Sequence, residues 1–212
     1  MYLIWDNLVA LIIAGTVVLL LASIQMRGQD AAIETRQFES MKSAQHRLTA
    51  VIEQDFKNIG SGYLLSGAGA QLAIDTTSEV RTFSFNARTD PANKEAQRVT
   101  YRWEEVDEVE LRSGDMVPVI RLERQAGNNA PWTTLAHRSI TDLGITLRNE
   151  NLSVIQSNSA ETLSRTKRID VSLRMISPLG TGNTFEVITW NKRIRPPNLQ
   201  RDENNFLLIG PS

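Results

Sequence analysis

The chain of 212 residues carries a formal net charge of −1, with 22% charged and 41% hydrophobic residues, which suits one domain of ordinary size with room for an appendage. This composition excludes a chain that is disordered throughout. The balanced charge argues against a nucleic-acid-binding protein, which needs a surplus of Lys and Arg. The absence of cysteine excludes disulfides, thiolate metal sites and a cysteine nucleophile. His46 and His137 are too few for a His-rich metal site.

The first predicted element is an apolar helix over residues 1–26. Its main run, from Asn7 to Met26, has twenty residues without a formal charge. In a helix this run would cover about 30 Å, the thickness of the hydrocarbon core of a bilayer. The run is apolar on all sides, which indicates a helix in a membrane or in the core of a filament. A signal peptide is the alternative, but it would need basic residues before the run and an Ala-x-Ala site after it.

The charges that flank this helix have an unusual order. Residues 1–7 include Asp6 but no Lys or Arg, and the first basic residue is Arg27. Taken alone, this bias would place the C-terminal side of the helix in the cytoplasm. Removal of a basic leader, which would make Met1 a processed N-terminus, is the alternative explanation.

The second predicted element, residues 27–60, is an amphipathic continuation of the helix, because apolar residues recur there every three or four positions. The members of this stripe that we expect to pack on the rest of the protein are Phe38, Met41, Leu48, Ile52, Phe56 and Ile59. The opposite face is predicted to hold five basic and five acidic residues, Asp55 among them. Gly60 suits a left-handed C-cap. One helix of roughly 85 Å, from about residue 3 to 59, is predicted, and two helices broken near Gly28 are the alternative.

The remainder, residues 61–212, is predicted to be β-rich. Residues 64–77 are expected to form a loop, and short segments of alternating polar and apolar residues follow. The predicted strands are 81–88, 97–104, 106–112, 117–125, 132–138, 140–148, 152–156, 167–176 and 184–194. Residues 112–115 and 126–131 predict turns. Strands with one apolar face form antiparallel sheets, so we predict an α+β fold in which a long N-terminal α-helix packs on an antiparallel β-sheet.

In this arrangement the sequence resembles the type IV pilins and the pseudopilins of type II secretion, most closely the J-type pseudopilins and the W-type minor pilins. The phrase Glu53-Gln54-Asp55-Phe56-Lys57-Asn58-Ile59-Gly60 is similar to the end of the long helix in that family. The segments that resemble its successive strands, in order, are Phe83–Phe85, Val99–Arg102, Val119–Leu122, Ile140–Leu147, Ile169–Leu173 and Trp190–Leu199. Family members usually have glutamate as the fifth mature residue, where this chain has Trp5 followed by Asp6.

The resemblance implies a non-enzymatic minor pilin or pseudopilin, a subunit of a type IV pilus-like or type II secretion filament. It implies other pilin-like subunits and the membrane as partners, with no cofactor and no small-molecule substrate. The protein would cross the bacterial inner membrane once, with its β domain in the periplasm or outside the cell, and would then enter a filament. The residues expected to act in assembly are Asp6, Leu8, Ala10, Ala14, Gly15 and Ala22.

Two other functions remain as alternatives. One is a monomeric, single-pass envelope protein whose β domain binds a partner. The other is a membrane-anchored serine hydrolase, because Ser164 and Lys167 have the Ser-x-x-Lys spacing of penicillin-binding enzymes. No P-loop, GxSxG, HExxH or EF-hand motif is present in the sequence.

Charge is distributed unevenly along the β domain. Residues 104–110 contain five acids, and in a regular strand Glu104 and Glu108 would share one face with Glu105 and Asp107 on the other. That split argues against a calcium cage and favours a solvated edge or a patch for a basic partner. Residues 165–195 contain seven basic and two acidic residues. Residues 64–164, by contrast, contain ten basic and fourteen acidic residues. This charge asymmetry would suit lateral packing of like subunits better than DNA binding.

Overall fold

A long helix and a seven-stranded sheet make up the part of the chain that the structure describes. The structure, a computed structural model, describes residues 2–61, 71–89, 96–111, 113–155, 163, 165–179 and 184–199. The elements are α1 (Tyr2–Lys57), β1 (Ala73–Asp75), β2 (Arg81–Ala87), β3 (Gln97–Glu110), β4 (Met116–Ala126), β5 (Thr133–Arg148), β6 (Arg168–Leu179), β7 (Thr184–Ile194) and a 3-10 helix at Pro197–Leu199. The predicted α+β class is confirmed.

The helix α1 is continuous, and it passes through Gly28 without a break. A single glycine inside a helix costs about 1 kcal/mol, which the hydrogen bonds of the surrounding turns readily offset. The chain leaves the helix through Gly60, whose φ of 75° lies in the left-handed region that glycine tolerates. The Gly60 N–H donates to the carbonyl of Asn86 at 2.8 Å, so the end of the helix is joined to β2.

The strands pair in sequence order from β1 to β7, and every pair is antiparallel. In two places, two consecutive segments that were predicted as separate strands form one long strand. Residues 97–104 and 106–112 join in β3 across a bulge between Glu105 and Asp107, and residues 132–138 and 140–148 join in β5 across an irregularity at Ile140. A bulge adds one residue while hydrogen bonding to the neighbouring strand continues, so alternation on one strand does not reveal it.

Two further predictions for the sheet were wrong. The predicted strand at 152–156 is absent from its described residues, where Val154 makes an isolated bridge to Arg148. The φ of Leu152 is 63°, which is incompatible with an extended strand. Conversely, the predicted loop at 64–77 contains the short strand β1, whose three residues pair with β2.

The core lies between one face of the sheet and the C-terminal part of α1. Its largest fully buried side chains are Trp103, Tyr101, Phe56, Phe83, Phe85, Ile52, Ile59, Ile120, Leu122, Ile140, Ile169 and Leu173. The opposite face of the sheet is mostly polar and carries ion pairs between neighbouring strands, such as Arg102 with Glu123 at 2.5 Å. We call these the core face and the outer face. The one-sided strand pattern arises because α1 covers the core face alone.

Candidate assembly site

The N-terminal half of α1 exposes apolar side chains on all sides. Leu11 is 75% exposed, and Leu8, Val18, Leu19 and Ile24 are also exposed. None of the residues in the most apolar 18-residue window of α1 is buried within the chain. By length and composition the helix is able to cross a membrane. Exposed apolar surface of this extent requires lipid or other protein to cover it.

The predicted assembly residues lie in this half of α1. Leu8, Ala10, Ala14 and Gly15 are exposed, and Ala22 is half-buried by its neighbours on the helix. A Cβ added at Gly15 would meet no atom within 4 Å, so a second helix could approach closely there. Asp6 is within α1, but its side chain lies outside the described part of the structure. The assembly role of these six residues stays a prediction.

Along α1, burial of the apolar stripe begins at Met41, not at Phe38. Met41 is buried, whereas Phe38 is 49% exposed. Phe38, which was predicted to pack on the sheet, is therefore not part of the buried stripe. The apolar stripe continues along α1 beyond the sheet, and Ile33 is exposed as well. The stretch from Arg27 to Ser40 thus has an amphipathic pattern, but the chain supplies little to cover its apolar side.

From Met41 to Ile59 the stripe is buried, with Leu48, Ile52 and Phe56 between them. Phe56 is the centre of this contact. Its ring meets those of Phe83, Phe85 and Tyr101 edge-on at centroid distances of 5.3, 5.4 and 5.6 Å. Such edge-to-face geometry stabilises an aromatic pair beyond the area it buries. Phe56 therefore fixes α1 against both β2 and β3.

A buried ion pair lies beside this aromatic cluster. The carboxylate of Asp55, which is 5% exposed, accepts hydrogen bonds from Nε of Arg124 at 2.5 Å and from its Nη2 at 2.9 Å. The hydroxyl of Tyr101 donates to the same carboxylate at 2.6 Å. The hydrogen bond to Asp55 raises the pKa of Arg124. Three hydrogen bonds from β3 and β4 thus hold one residue of α1.

The burial of Asp55 corrects a sequence prediction, which placed it on the charged, solvated face of the helix. Asp55 follows Ile52 by three positions and precedes Ile59 by four, so the helical period places it on the apolar stripe. That spacing was the available signal. The importance of Arg124 had no local signal, because its partner lies 69 positions away in the sequence.

A second set of charges joins α1 to the far edge of the sheet. Glu53 lies between Lys192 of β7 at 3.2 Å and Lys57 of α1 at 3.3 Å. Both lysines are largely exposed, so each pair contributes no more than about 1 kcal/mol. In addition, the Asn198 amide donates to the carbonyl of Ile59 at 3.4 Å. The C-terminal part of α1 is therefore fastened to β2, β3, β4 and β7.

Alkaline pH should weaken the attachment of α1 to the sheet, because it favours loss of the proton of Tyr101. Burial, followed by the charge of Asp55, raises the pKa of the Tyr101 hydroxyl well above its usual value of 10.0. Below pH 10.0 the folded and unfolded forms both keep the proton. Above it the unfolded form loses the proton first, so the free energy of unfolding falls as pH rises towards the folded pKa.

We therefore expect the free energy of unfolding of Tyr101→Phe to depend less steeply on pH above 10 than that of the parent chain. Urea titrations of the detergent-solubilised proteins between pH 8 and about pH 11 measure both slopes. Equal slopes would contradict a buried, protonated Tyr101.

The residues considered for chemistry or metal binding do not come together in the described part of the chain. There, no group of three or more His, Asp or Glu side chains is placed to hold a metal ion. His46 and His137 are both exposed. Ser164, the nucleophile of the hydrolase alternative, lies outside the described residues.

Comparison with known proteins does not assign this chain to a family. No protein-family model and no curated protein matches this chain. The features of the protein that bear on its function are therefore the long helix, its exposed apolar half and its attachment to the sheet.

Proposed function

We propose that the protein is a non-enzymatic subunit of a type IV pilus-like or type II secretion filament, of the minor pilin or pseudopilin kind. The observation that carries this proposal is the continuity of α1 from an exposed apolar half to a buried stripe. Asp55 and Phe56 fasten the second half to the sheet. In each copy, one continuous helix thus connects the apolar half to the sheet.

The stretch from Arg27 to Ser40 favours a filament over a monomeric anchor. It extends about 21 Å as a helix, and it exposes Ile33 and Phe38 to solvent in the single chain. A monomeric anchor would leave these apolar side chains in water. In a bundle of parallel helices, the neighbouring copies would cover them.

In this proposal the apolar half of α1 first resides in the inner membrane, with the sheet on the non-cytoplasmic side. Assembly then exchanges lipid for the helices of neighbouring subunits. Small residues allow helices to approach closely where lipid gives no hydrophobic drive. Ala10 and Ala14, four positions apart, share a helix face. Asp6 would seek a cationic group of an adjacent subunit, such as its N-terminal amine, because an unpaired carboxylate is costly in an apolar core.

Cysteine cross-linking in the membrane tests the proposal, since the natural chain has no cysteine. We expect Ala14→Cys to give a ladder of cross-linked oligomers in isolated membranes. The matched control is Asn128→Cys on the exposed β4–β5 turn, which should remain largely monomeric. Monomer alone from Ala14→Cys would contradict the filament and favour the anchored monomer.

The role of Asp6 is tested in the same assay. Asp6→Ala in the Ala14→Cys chain should shorten the ladder, because the guiding charge is lost. A ladder equal to that of the parent would show that Asp6 does not guide assembly, while leaving the filament itself supported.

A further inference from the structure

A two-stranded arm extends from the sheet and carries acidic side chains. The pairing of β4 with β5 begins at Ile120, whereas β3 and β4 continue to pair from Asp107–Val119 to Glu110–Met116. We call residues 105–111 and 113–119 the acidic arm. Its turn closes through the N–H of Leu111, which donates to the carbonyl of Asp115 at 2.8 Å.

The bulge in β3 changes which acids share a face of the arm. Residues opposite each other in an antiparallel pair lie on the same face. Because Glu105 lies opposite Ile120 and Asp107 opposite Val119, the register places Glu105, Glu108 and Glu110 on the core side. This differs from the alternation expected for a regular strand. Glu105 pairs with Arg81 at 3.4 Å, whereas no described residue forms an ion pair with the exposed Glu108 or Glu110.

The opposite charge is exposed at the end of the edge strand β7. Arg193 and Arg195 are exposed and alternate with the buried residues Ile194 and Pro196, so both face away from the core. Asp170 is the cross-strand neighbour of Arg193. We call Arg193 and Arg195 the arginine pair.

Asp170 does not compensate the arginine pair, because other guanidinium groups already occupy its carboxylate. Nε of Arg148 donates to Oδ2 of Asp170 at 2.6 Å, and Nε of Arg168 donates to Oδ1 at 2.6 Å. A third bond runs from Nη2 of Arg168 to Oδ2 at 2.7 Å. Among described residues, no ion pair accounts for the charge of Arg193 or Arg195.

We propose that Glu108 and Glu110 of the acidic arm bind Arg193 and Arg195 of a neighbouring copy of this chain. In both surfaces the two charges are two residues apart, about 6.6 Å along an extended strand. The acidic arm and the arginine pair therefore carry equal numbers of charges, of opposite sign and at the same spacing. The contact depends on the proposed function in one respect, because the assembled helices must first bring two copies together.

The expected role of this contact is to set how neighbouring copies are aligned. Exposed ion pairs contribute little by themselves. They become effective when another contact keeps the partners close, because the second binding event is then intramolecular. Complementary charge gives register and specificity more than strength. The arm would thus select one alignment among those that the apolar helices alone allow.

Cross-linking between two different single-cysteine variants of the full chain, mixed in lipid vesicles, tests this contact. One chain carries Met116→Cys, opposite Glu110 and 59% exposed. The other carries Asn191→Cys, exposed and two residues before Arg193. A short bismaleimide should join them. We expect reversal by Glu108→Arg and Glu110→Arg in the first chain, or by Arg193→Glu and Arg195→Glu in the second, to lower the yield roughly fivefold or more.

When both chains carry their reversals, the cross-linked product should return, because the arm is then basic and positions 193 and 195 are acidic, so the two surfaces attract again. The matched control reverses Glu79 and Glu150, two exposed acids outside the arm, and should leave the yield unchanged. If reversal has no effect, or if the exchange does not restore the product, the contact is wrong. The Ala14→Cys ladder, measured in parallel, shows whether the proposed function still holds. Loss of that ladder as well would overturn both.

Discussion

Asp55→Ala is expected to lower the free energy of unfolding by about 3 kcal/mol, the low end for a buried ion pair, because the charge left without a partner is only partly buried, its side chain being 21% exposed. In this protein the group left behind is the guanidinium of Arg124, which donates two hydrogen bonds to Asp55. The hydroxyl of Tyr101 loses its acceptor at the same time. The change therefore affects the attachment of α1 to two strands.

Urea titration of the detergent-solubilised full chain, followed by tryptophan fluorescence, measures this loss. Asp30→Ala is the matched control, because Asp30 is an exposed acid on the same helix, and its effect should be within about 0.5 kcal/mol of zero. The double variant Asp55→Leu with Arg124→Leu should lose much less than the single variant, since both charges are gone. An Asp55→Ala protein as stable as the Asp30→Ala protein would contradict the buried ion pair.

Phe56→Ala is expected to cost about 3–5 kcal/mol, because it removes a large buried side chain and leaves a cavity. Phe56 is 1% exposed, and it makes edge-to-face contacts with Phe83, Phe85 and Tyr101. All three lose a ring neighbour in the variant.

Phe38→Ala provides the matched control for this measurement. The same substitution on the same helix removes a side chain that is 49% exposed, so its cost should stay well below that of Phe56→Ala, at about 1 kcal/mol or less. Urea titration compares both variants with the parent. Equal losses would show that α1 contacts the sheet further towards its N-terminus than the structure places it.

Periodicity predicted the elements whose patterns are local. A period of three to four residues with no proline predicted α1, and alternation predicted most strands of the sheet. The turns around Gly114 and Gly127 were also predicted, and both glycines have positive φ. Each of these features depends on neighbours within a few positions.

Features that depend on distant partners were not predictable in this way. The joining of two predicted strands in β3 requires a bulge, whose position depends on β4. The core position of Asp55 requires Arg124 and Tyr101 to be opposite it. A carboxylate on an apolar stripe is as consistent with a misjudged helix face as with a buried ion pair, and only the partner distinguishes the two.

The sequence by itself determined that an uninterrupted apolar helix precedes a β-rich domain, because hydrophobic length and period are local properties of the chain. Tertiary structure decided where the helix meets the sheet, since that depends on how far the strands extend. It buried Met41 and left Phe38 exposed. It also brought Asp55 to Arg124 and left the Glu108–Glu110 and Arg193–Arg195 pairs exposed. Burial and pairing result from packing among segments far apart in sequence, which no local pattern records.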